Sequence, residues 1–536
     1  EVVGKEDDSG NPLNNFNQLT QLRRYGGDLQ GVLDQLPYLD SLGITAIYFN
    51  PLNDAPSLHK YDPRHWRHID RNFGPSPERD ARLIAEEDPI DPATWRMTGA
   101  DSLFVEVVAA CHARGIRVIL DYSWNHMGHK NWALQDVREK GAASPYADWF
   151  EVHTYDDPAT PEDEFDYQGW IGIASLPEIK ETQHPPEGAV QAYESNFASE
   201  SVKQHIFAIS KRWLDPNGDG DPEDGIDGFR LDVAGEVGLG FWRDYREVVR
   251  RVNPEAYLVG EIWWEEYPDK LLDPAPFVNG EVFDAVMNYR WYRAVRHYFA
   301  EAPNAIPVSE MVDSLERFRS NLRPEVSAAM MNLISSHDVP RASTSLFNRN
   351  KYKFQTGPSE GNPYKIHRPD AEAYETLRLI LAQQFTYIGA PHIWAGDEMG
   401  MWGADDPNCR KPLIWPDYDF EAETHHPLDV ERPRDEVQFD QALFACYQQL
   451  IAIRKAHPAL RSGSLSYELI DDDRDLLMYR RTEAEEDIWV VFNASKQVQE
   501  VEMPAGTYQH LYDEEEAIIE RALAIPPRSF RILKVK

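Results

Sequence analysis

The sequence predicts an α/β protein: a (β/α)8 barrel of the TIM barrel class, with an inserted subdomain after its third strand and an antiparallel β-sandwich at the C-terminus. Three observations predict it. Short apolar runs alternate with helix-period stretches through the first two-thirds of the chain, which is the pattern of a parallel sheet. About a hundred residues, from 125 to 225, interrupt that rhythm, far beyond an ordinary βα connection of ~2–6 residues. From about Arg461 onward the runs are β-like, separated by turn signals, with no helical period.

The first strand is expected at residues 44–50. Leu103, Phe104, Val107, Val108 and Cys111 then form the stripe of a helix over 101–113, which Gly115 closes. Further strands are expected at 116–121, 228–233, 257–261, 283–288, 329–335 and 392–396, seven in all. A barrel closes with eight. The missing strand belongs ahead of the loop at 11–27; either residues 1–3 are its stub or the natural chain extends upstream. The long interruption carries Trp132, Tyr146, Trp149, Phe150 and Trp170, so it reads as a packed subdomain. The expected organisation is therefore 1–126 for the first part of the barrel, 127–225 for the insert, 226–460 for the second part and 461–536 for the β domain. Residues 345–370, rich in Gly, Pro, Asn and Lys, read as a long loop.

Composition bounds the function. With 12% aromatic residues, 15 of them Trp, the chain has ample core material, and disorder is excluded. No apolar run approaches the ~18 residues of a membrane span, so a soluble protein is expected. Three cysteines (Cys111, Cys409, Cys446) cannot make a disulfide framework. A net charge of −37 argues against nucleic acid and anionic membranes as partners. The 38 Arg outnumber the 16 Lys, and an acidic, Lys-poor surface fits either a saline environment or an acidic mesophile. The chain begins with Glu1 and shows no signal peptide, which reads as a processed or truncated product; compartment and oligomeric state stay open.

The acids at the expected strand ends carry the functional argument. Asp121, Asp232, Glu261 and the His337-Asp338 pair each follow an apolar run, and in a barrel such ends share one rim. Any one of them alone could be a turn former or a helix cap. Four together make a site. Arg230 and Asp232 lie two apart on one strand and point to the same face, so a guanidinium beside the carboxylate should keep Asp232 ionised. Glu261 precedes Trp263 and Trp264, and apolar walls raise a carboxyl's pKa toward that of a proton donor. One ionised and one protonated carboxyl is the apparatus for splitting a glycosidic bond.

The motifs Asp121-Tyr-Ser-Trp-Asn-His126, Gly228-Phe-Arg-Leu-Asp-Val233, Gly260-Glu-Ile-Trp263 and Ser335-Ser-His-Asp338 resemble, in order and spacing, the four signature regions of the α-amylase family. The resemblance runs from about Gly26 to the C-terminus. Finer features resemble the neopullulanase, cyclomaltodextrinase and maltogenic amylase group: His59-Lys-Tyr-Asp62, Asp232-Val-Ala-Gly-Glu-Val237, His337-Asp-Val-Pro-Arg341 and Asp406-Pro-Asn-Cys-Arg-Lys-Pro412. The resemblance implies that Asp232 is the nucleophile, Glu261 the acid/base and Asp338 the third carboxylate, which grips the sugar's hydroxyls. It makes His126, His337 and Arg230 ring-polarising groups, stacks Tyr61 beneath the reacting sugar, and makes Asp121 and Asn125 braces. Asn288 reads as a turn residue or a subsite contact. Leu176-Pro-Glu-Ile-Lys180 stands in the fifth signature region but departs from its usual forms, and the group's N-terminal β-sandwich, often a dimerisation module, has no counterpart here.

The expected activity is that of a retaining glycosidase acting mainly on α-1,4 bonds of malto-oligosaccharides, cyclodextrins, pullulan or starch. An α-glucan transglycosylase and an oligo-1,6-glucosidase-like enzyme stay open as alternatives, and a non-catalytic carbohydrate binder ranks last because all three carboxylates are present. Separately, Asp215, Asn217, Asp219 and Asp221 alternate with glycines and other turn residues, an arrangement of hard oxygen ligands that suits a structural Ca2+ but lacks the final Glu of an EF-hand. A solvated acidic turn is the equal alternative.

Overall fold

The computed structural model describes residues 26–536 except 158, 268, 269, 353, 354, 360, 425, 427 and 429. The stub at residues 1–3 and any strand ahead of the loop at 11–27 lie outside them. The chain divides into two compact units, one ending at Met287 and the other running on from Asn288.

In the first unit five parallel strands pair in chain order: β1 (Ala46–Phe49), β2 (Arg117–Ser123), β3 (Gly228–Asp232), β4 (Tyr257–Gly260) and β5 (Ala285–Val286). The middle strands are buried along nearly their whole length, as expected of strands covered on both faces. Helix α1 (Gly99–His112) opens with a capping box, the Thr98 hydroxyl accepting from the Asp101 N–H and the Asp101 carboxylate from the Thr98 N–H. It buries Phe104, Val107, Val108 and Cys111 of the expected stripe and leaves Leu103 half-buried.

The long connection after β2 is not all insert. Helix Trp132–Lys140 and a short hairpin of Val152–Thr154 with Asp166–Tyr167 make the subdomain, with Trp132 edge-on to Tyr146 and Trp149 at 4.8 and 5.4 Å. Its last quarter is α2 (Glu200–Leu214), a helix the sequence reading did not separate from the insert. Val202, Ile206, Ile209 and Trp213 are among its buried side chains, and Trp213 meets Phe104 of α1 edge-on at 5.4 Å. After β3 comes α3 (Leu239–Val252), burying Phe241, Trp242, Tyr245 and Val249.

Strand register assembles the site. Asp121 lies opposite Arg230, Ser123 opposite Asp232 and Leu231 opposite Gly260, so Asp232 and Glu261 leave neighbouring strands side by side. A Cβ on Gly260 would fall 2.4 Å from the Phe283 ring, so only glycine fits immediately before Glu261.

In the second unit β6 (Met331–Leu333) and β7 (Ala390–His392) pair in parallel. All seven expected strands are therefore found, with two differences. The strand at 283–288 contracts to two residues because Asn288 already caps the helix Tyr289–Phe299. The one at 392–396 begins earlier, and Gly396, at φ +98°, belongs to the turn that follows. Helix Ala342–Phe347 takes the start of the segment read as a loop. At the C-terminus, strands Ser464–Asp471, Leu476–Glu483, Glu486–Asn493, Ser529–Val535, Gly506–His510 and Glu516–Ile519 pair antiparallel in that order. A second sheet pairs Gln499–Glu502 with Ala522–Ile525. Its Val501 and Ile525 share one core with Met478, Trp489, Val491 and Leu533 of the first, which makes the expected sandwich. The three cysteines are free and buried. No helix among the described residues is long and apolar enough to cross a membrane.

Candidate active site

Arg230, fully buried, is the hub of the first unit's site. Its Nη1 donates to Asp121 Oδ1 and Oδ2 at 3.1 and 3.2 Å and to Asp232 Oδ1 at 2.5 Å. Its Nη2 forms an ion pair with Glu261 Oε2 at 3.0 Å. Asp232 and Glu261 are 7% and 8% exposed, enough for a substrate to reach and little enough to exclude bulk water. Tyr48 and Tyr61 each donate a phenolic O–H to Asp121 Oδ2, at 3.0 and 2.7 Å, so Asp121 spends its acceptors on bracing the hub.

The expectation that a neighbouring guanidinium would keep Asp232 ionised is altered by this geometry. One guanidinium serves three carboxylates. Burial pushes Asp232 well above the usual carboxylate range, Arg230 opposes the rise, and the charges of Glu261 and Asp121 add to it. Burial likewise raises Asp121, to about 6, against Arg230 and the two tyrosines. A positive charge that neutralises one carboxylate leaves the others repelling in a low-dielectric site, so the group as a whole holds on to a proton. Nor is Glu261 defined by its aromatic neighbours alone. Its Oε2 accepts the Val233 backbone N–H at 3.2 Å, while Trp263 and Trp264 stack on each other at 4.6 Å. Val233 itself sits at φ +50°, a left-handed conformation that β-branched residues avoid. Strain of about 1–3 kcal/mol is thus held in the residue directly after Asp232.

Asn125 and His126 follow two and three residues after Ser123, which pairs with Asp232. His126 is buried, and burial lowers its pKa to about 3, so it is a neutral imidazole. Asn125 places its Nδ2 3.3 Å from His126 Nδ1, and its backbone oxygen accepts from Ile179. Tyr61, by contrast, has its hydroxyl on Asp121 and its ring stacked at 5.9 Å on His59.

His337 and Asp338 belong to the second unit, in the turn after β6. His337 Nε2 lies 3.0 Å from Asp338 Oδ2, and Arg410 Nη2 donates to Asp338 Oδ1 at 3.3 Å. Arg410 Nε also reaches the His337 carbonyl at 3.0 Å and Asp406 at 2.7 Å. Tyr48 was not among the residues expected to matter, and Arg410 was singled out only as part of the motif at 406–412. Asn288 takes the turn role: its Oδ1 caps the helix at Trp291 N and its Nδ2 donates to Asn332.

The Asp215 to Asp221 loop is exposed or half-exposed, and its oxygens are turned onto its own backbone. Asp215 accepts from Gly218 and Gly220, Asn217 from Asp219, and Asp219 from Asp221. Among the described residues no group of three or more His, Cys, Asp and Glu is arranged to hold a metal ion.

The family description "Alpha amylase, catalytic domain" matches residues 6–87 and 94–463. The chain belongs to the α-amylase family. It is 32% identical over 480 residues to a cyclomaltodextrinase of Geobacillus thermopakistaniensis, covering 90% of this chain and 64% of that protein. It is 32% identical over 470 residues to neopullulanase 2 of Thermoactinomyces vulgaris, covering 88% and 63%. The chain thus spans just under two-thirds of these relatives' length. Among solved structures, a cyclomaltodextrinase matches with a TM-score of 0.71 at 29% identity, over 95% of this chain and 71% of that one. The type III pullulan hydrolase from Thermococcus kodakarensis matches with 0.72 at 26% identity, over 97% and 73%. The fold expected from the sequence is that of this family, with five of the parallel strands in one unit and two in the other.

Proposed function

We propose that the protein is a retaining glycosidase that cleaves α-glucosidic bonds, mainly α-1,4, in malto-oligosaccharides and cyclodextrins or pullulan. Asp232 attacks the anomeric carbon while Glu261 protonates the departing oxygen. Glu261 then takes a proton from water, which releases the sugar with its configuration retained. Asp338, carried by His337 and Arg410, is the third carboxylate.

The observation that carries this reading is the Arg230 hub. It sets a single cation against Asp121, Asp232 and Glu261, with the two carboxyls that the reaction needs leaving neighbouring strands side by side. The two ends of the reaction need that pairing. The names of the relatives support the substrate class. Hydrolysis of β-cyclodextrin, pullulan, maltotriose, starch and isomaltose, compared by kcat/KM, tests it: a cyclodextrin or maltotriose preference is expected. Isomaltose as the best substrate would replace it with an α-1,6 specificity. Absence of turnover on all five would leave a carbohydrate binder.

A calcium clamp on the Asp215 loop is a separate proposal, supported by the alternation of acids alone. A Tm that calcium raises and chelator lowers is expected, and a Tm indifferent to both would remove it.

A further inference from the structure

The groups that hold His126 are not those that the reaction itself requires. Both of its ring nitrogens lie 3.4 Å from the Ser123 hydroxyl, and Nδ1 lies 3.3 Å from Asn125 Nδ2. Contacts that long fix a ring's orientation weakly, which leaves the Tyr61 backbone as the ring's one other hydrogen-bonding neighbour among the described residues. Its face is held differently. The indole of Trp170 lies parallel to the imidazole, with centroids 5.2 Å apart and planes 12° apart.

Trp170 is in turn fixed from two sides. Its Nε1 donates to Glu236 Oε2 at 3.0 Å. Glu236 lies four residues after Asp232, so one end of the arrangement is anchored to the strand that carries the nucleophile. The backbone of the tight turn closes on itself, Gly172 N donating to the Gly169 oxygen, Ile173 N to Trp170 and Trp170 N to Leu176. A Cβ on Gly169 would lie 2.3 Å from the Ile173 carbonyl, so the turn tolerates only glycine there. The turn is mounted directly on the segment that bears His126: Ile179 N donates to Asn125, Met127 N to Pro177 and His129 N to Ser175. Ile171, 70% exposed, takes φ +46° to complete it. A β-branched residue in that conformation is strained by about 1–3 kcal/mol, and it buries nothing in return. What the strained turn achieves is the placement of the indole.

We propose that Trp170, anchored by Glu236, is a positioning residue that clamps the His126 imidazole in one orientation toward the reacting sugar. The inference rests on the reading of His126 as a sugar-polarising group. A stacked indole opposes tilting of a ring whose side-chain contacts are long, and it does so without adding a charge or a competing donor at the ring edge. A misplacement on the order of 1 Å in such a group lowers turnover up to about 100-fold, because the lost contact is one that strengthens in the transition state.

The test is steady-state hydrolysis of an aryl α-maltoside by the intact chain carrying Trp170→Ala, Trp170→Phe, Trp170→Leu, Glu236→Gln, His126→Ala and the Trp170→Ala/His126→Ala pair, with the Tm of each recorded. Trp170→Ala should lower kcat about 10- to 100-fold with KM little changed. Trp170→Phe, which keeps a ring plane, should recover most of that loss, whereas Trp170→Leu, similar in bulk without a plane, should not. Glu236→Gln, still an acceptor for the indole, should stay closer to the parent than Trp170→Ala. The double variant should be no slower than His126→Ala alone, the mark of two residues acting as a unit. Should Trp170→Ala fail to fold, the Phe and Leu variants decide between them. The clamp is overturned if Trp170→Ala or Trp170→Leu retains the parent kcat while His126→Ala is impaired, or if the two losses multiply in the pair. A silent His126→Ala overturns the reading of His126 itself and the clamp with it.

Discussion

Two buried clusters in the first unit each set cations against carboxylates and behave in opposite ways. Around Arg230, one cation faces Asp121, Asp232 and Glu261. Around His68, three cationic groups face two acids. His68 Nδ1 meets Asp101 at 2.7 Å and Nε2 meets Glu87 at 2.8 Å, while Arg212 pairs with Asp101 and Arg67 with Glu87, both at 2.9 Å. In the second cluster the partners outweigh burial, and Asp101 is held down at about 2 although it is fully buried. Glu87 is lowered too, and His68 is raised by the two acids against the pull of burial. In the first cluster burial prevails, and Asp121 rises to about 6. The lesson is that burial alone does not set a carboxyl's behaviour. The ratio of cations to acids does, and the unbalanced cluster is the one poised to move a proton.

The comparison breaks most sharply under substitution. Asp232→Asn should lower kcat by about 10^4- to 10^6-fold, while its Tm stays level or rises, because one of three mutually repelling acids is gone and Arg230 keeps two partners. Asp101→Asn should do the reverse. Removing one partner from a satisfied buried network destabilises by about 3–5 kcal/mol, with turnover per folded molecule preserved. Thermal melts and kcat on the two purified variants check both, and a fall in Tm for Asp232→Asn as large as that for Asp101→Asn would erase the distinction. Next in size is Glu261→Gln, expected to lose about 10^2- to 10^4-fold on maltotriose but far less on a glycosyl fluoride, whose departure needs little acid help.

The pH dependence of stability sharpens the same contrast. The contribution of His68 is complete below its ordinary value of 6.5 and is lost as pH rises through its higher folded value. The contribution of Asp101 is complete above its ordinary 3.8 and is lost as pH falls through about 2. Asp121, raised from 3.8 to about 6, resists ionisation in the fold, so stability declines as pH climbs between those values. The parent Tm should therefore fall from pH 6 to pH 8, above the Asp121 window, and the fall should shrink in His68→Asn. A Tm that climbs across that interval would contradict the His68 assignment.

The smallest effect expected is that of salt. At a net charge of −37 the folded chain repels itself, and shortening the Debye length from ~10 Å at 0.1 M to ~3 Å at 1 M relieves that repulsion. Surface pairs weaken under the same screening, but each is worth only ~0–1 kcal/mol. Tm should rise toward molar sodium chloride at fixed calcium. A steady fall would reject a saline adaptation.

The strands were legible because each is an apolar, β-rich run bounded by turn residues. Asp232 and Glu261 were legible because such runs end on them. Helix α2 was hidden within the insert because residues 200–214 carry Glu200, Lys203, Lys211 and Arg212 among their apolar positions, and nothing local marks where an insert stops. The sharing of Arg230 was not legible at all. Asp121, Arg230 and Glu261 are far apart in sequence, and only the register of β2, β3 and β4 brings them onto one guanidinium. The stacking of Trp170 on His126 was equally invisible, since it depends on a turn held at φ +46° by Ile171.

The central claim is that the unbalanced cluster supplies a carboxylate nucleophile at Asp232 and a separate proton donor at Glu261. Mass spectrometry of Glu261→Gln treated with a maltosyl fluoride tests it most directly. One covalent maltosyl group, mapped by peptide digestion to Asp232, is the predicted result. A label on any other carboxylate, or the same label on Asp232→Asn, would contradict it.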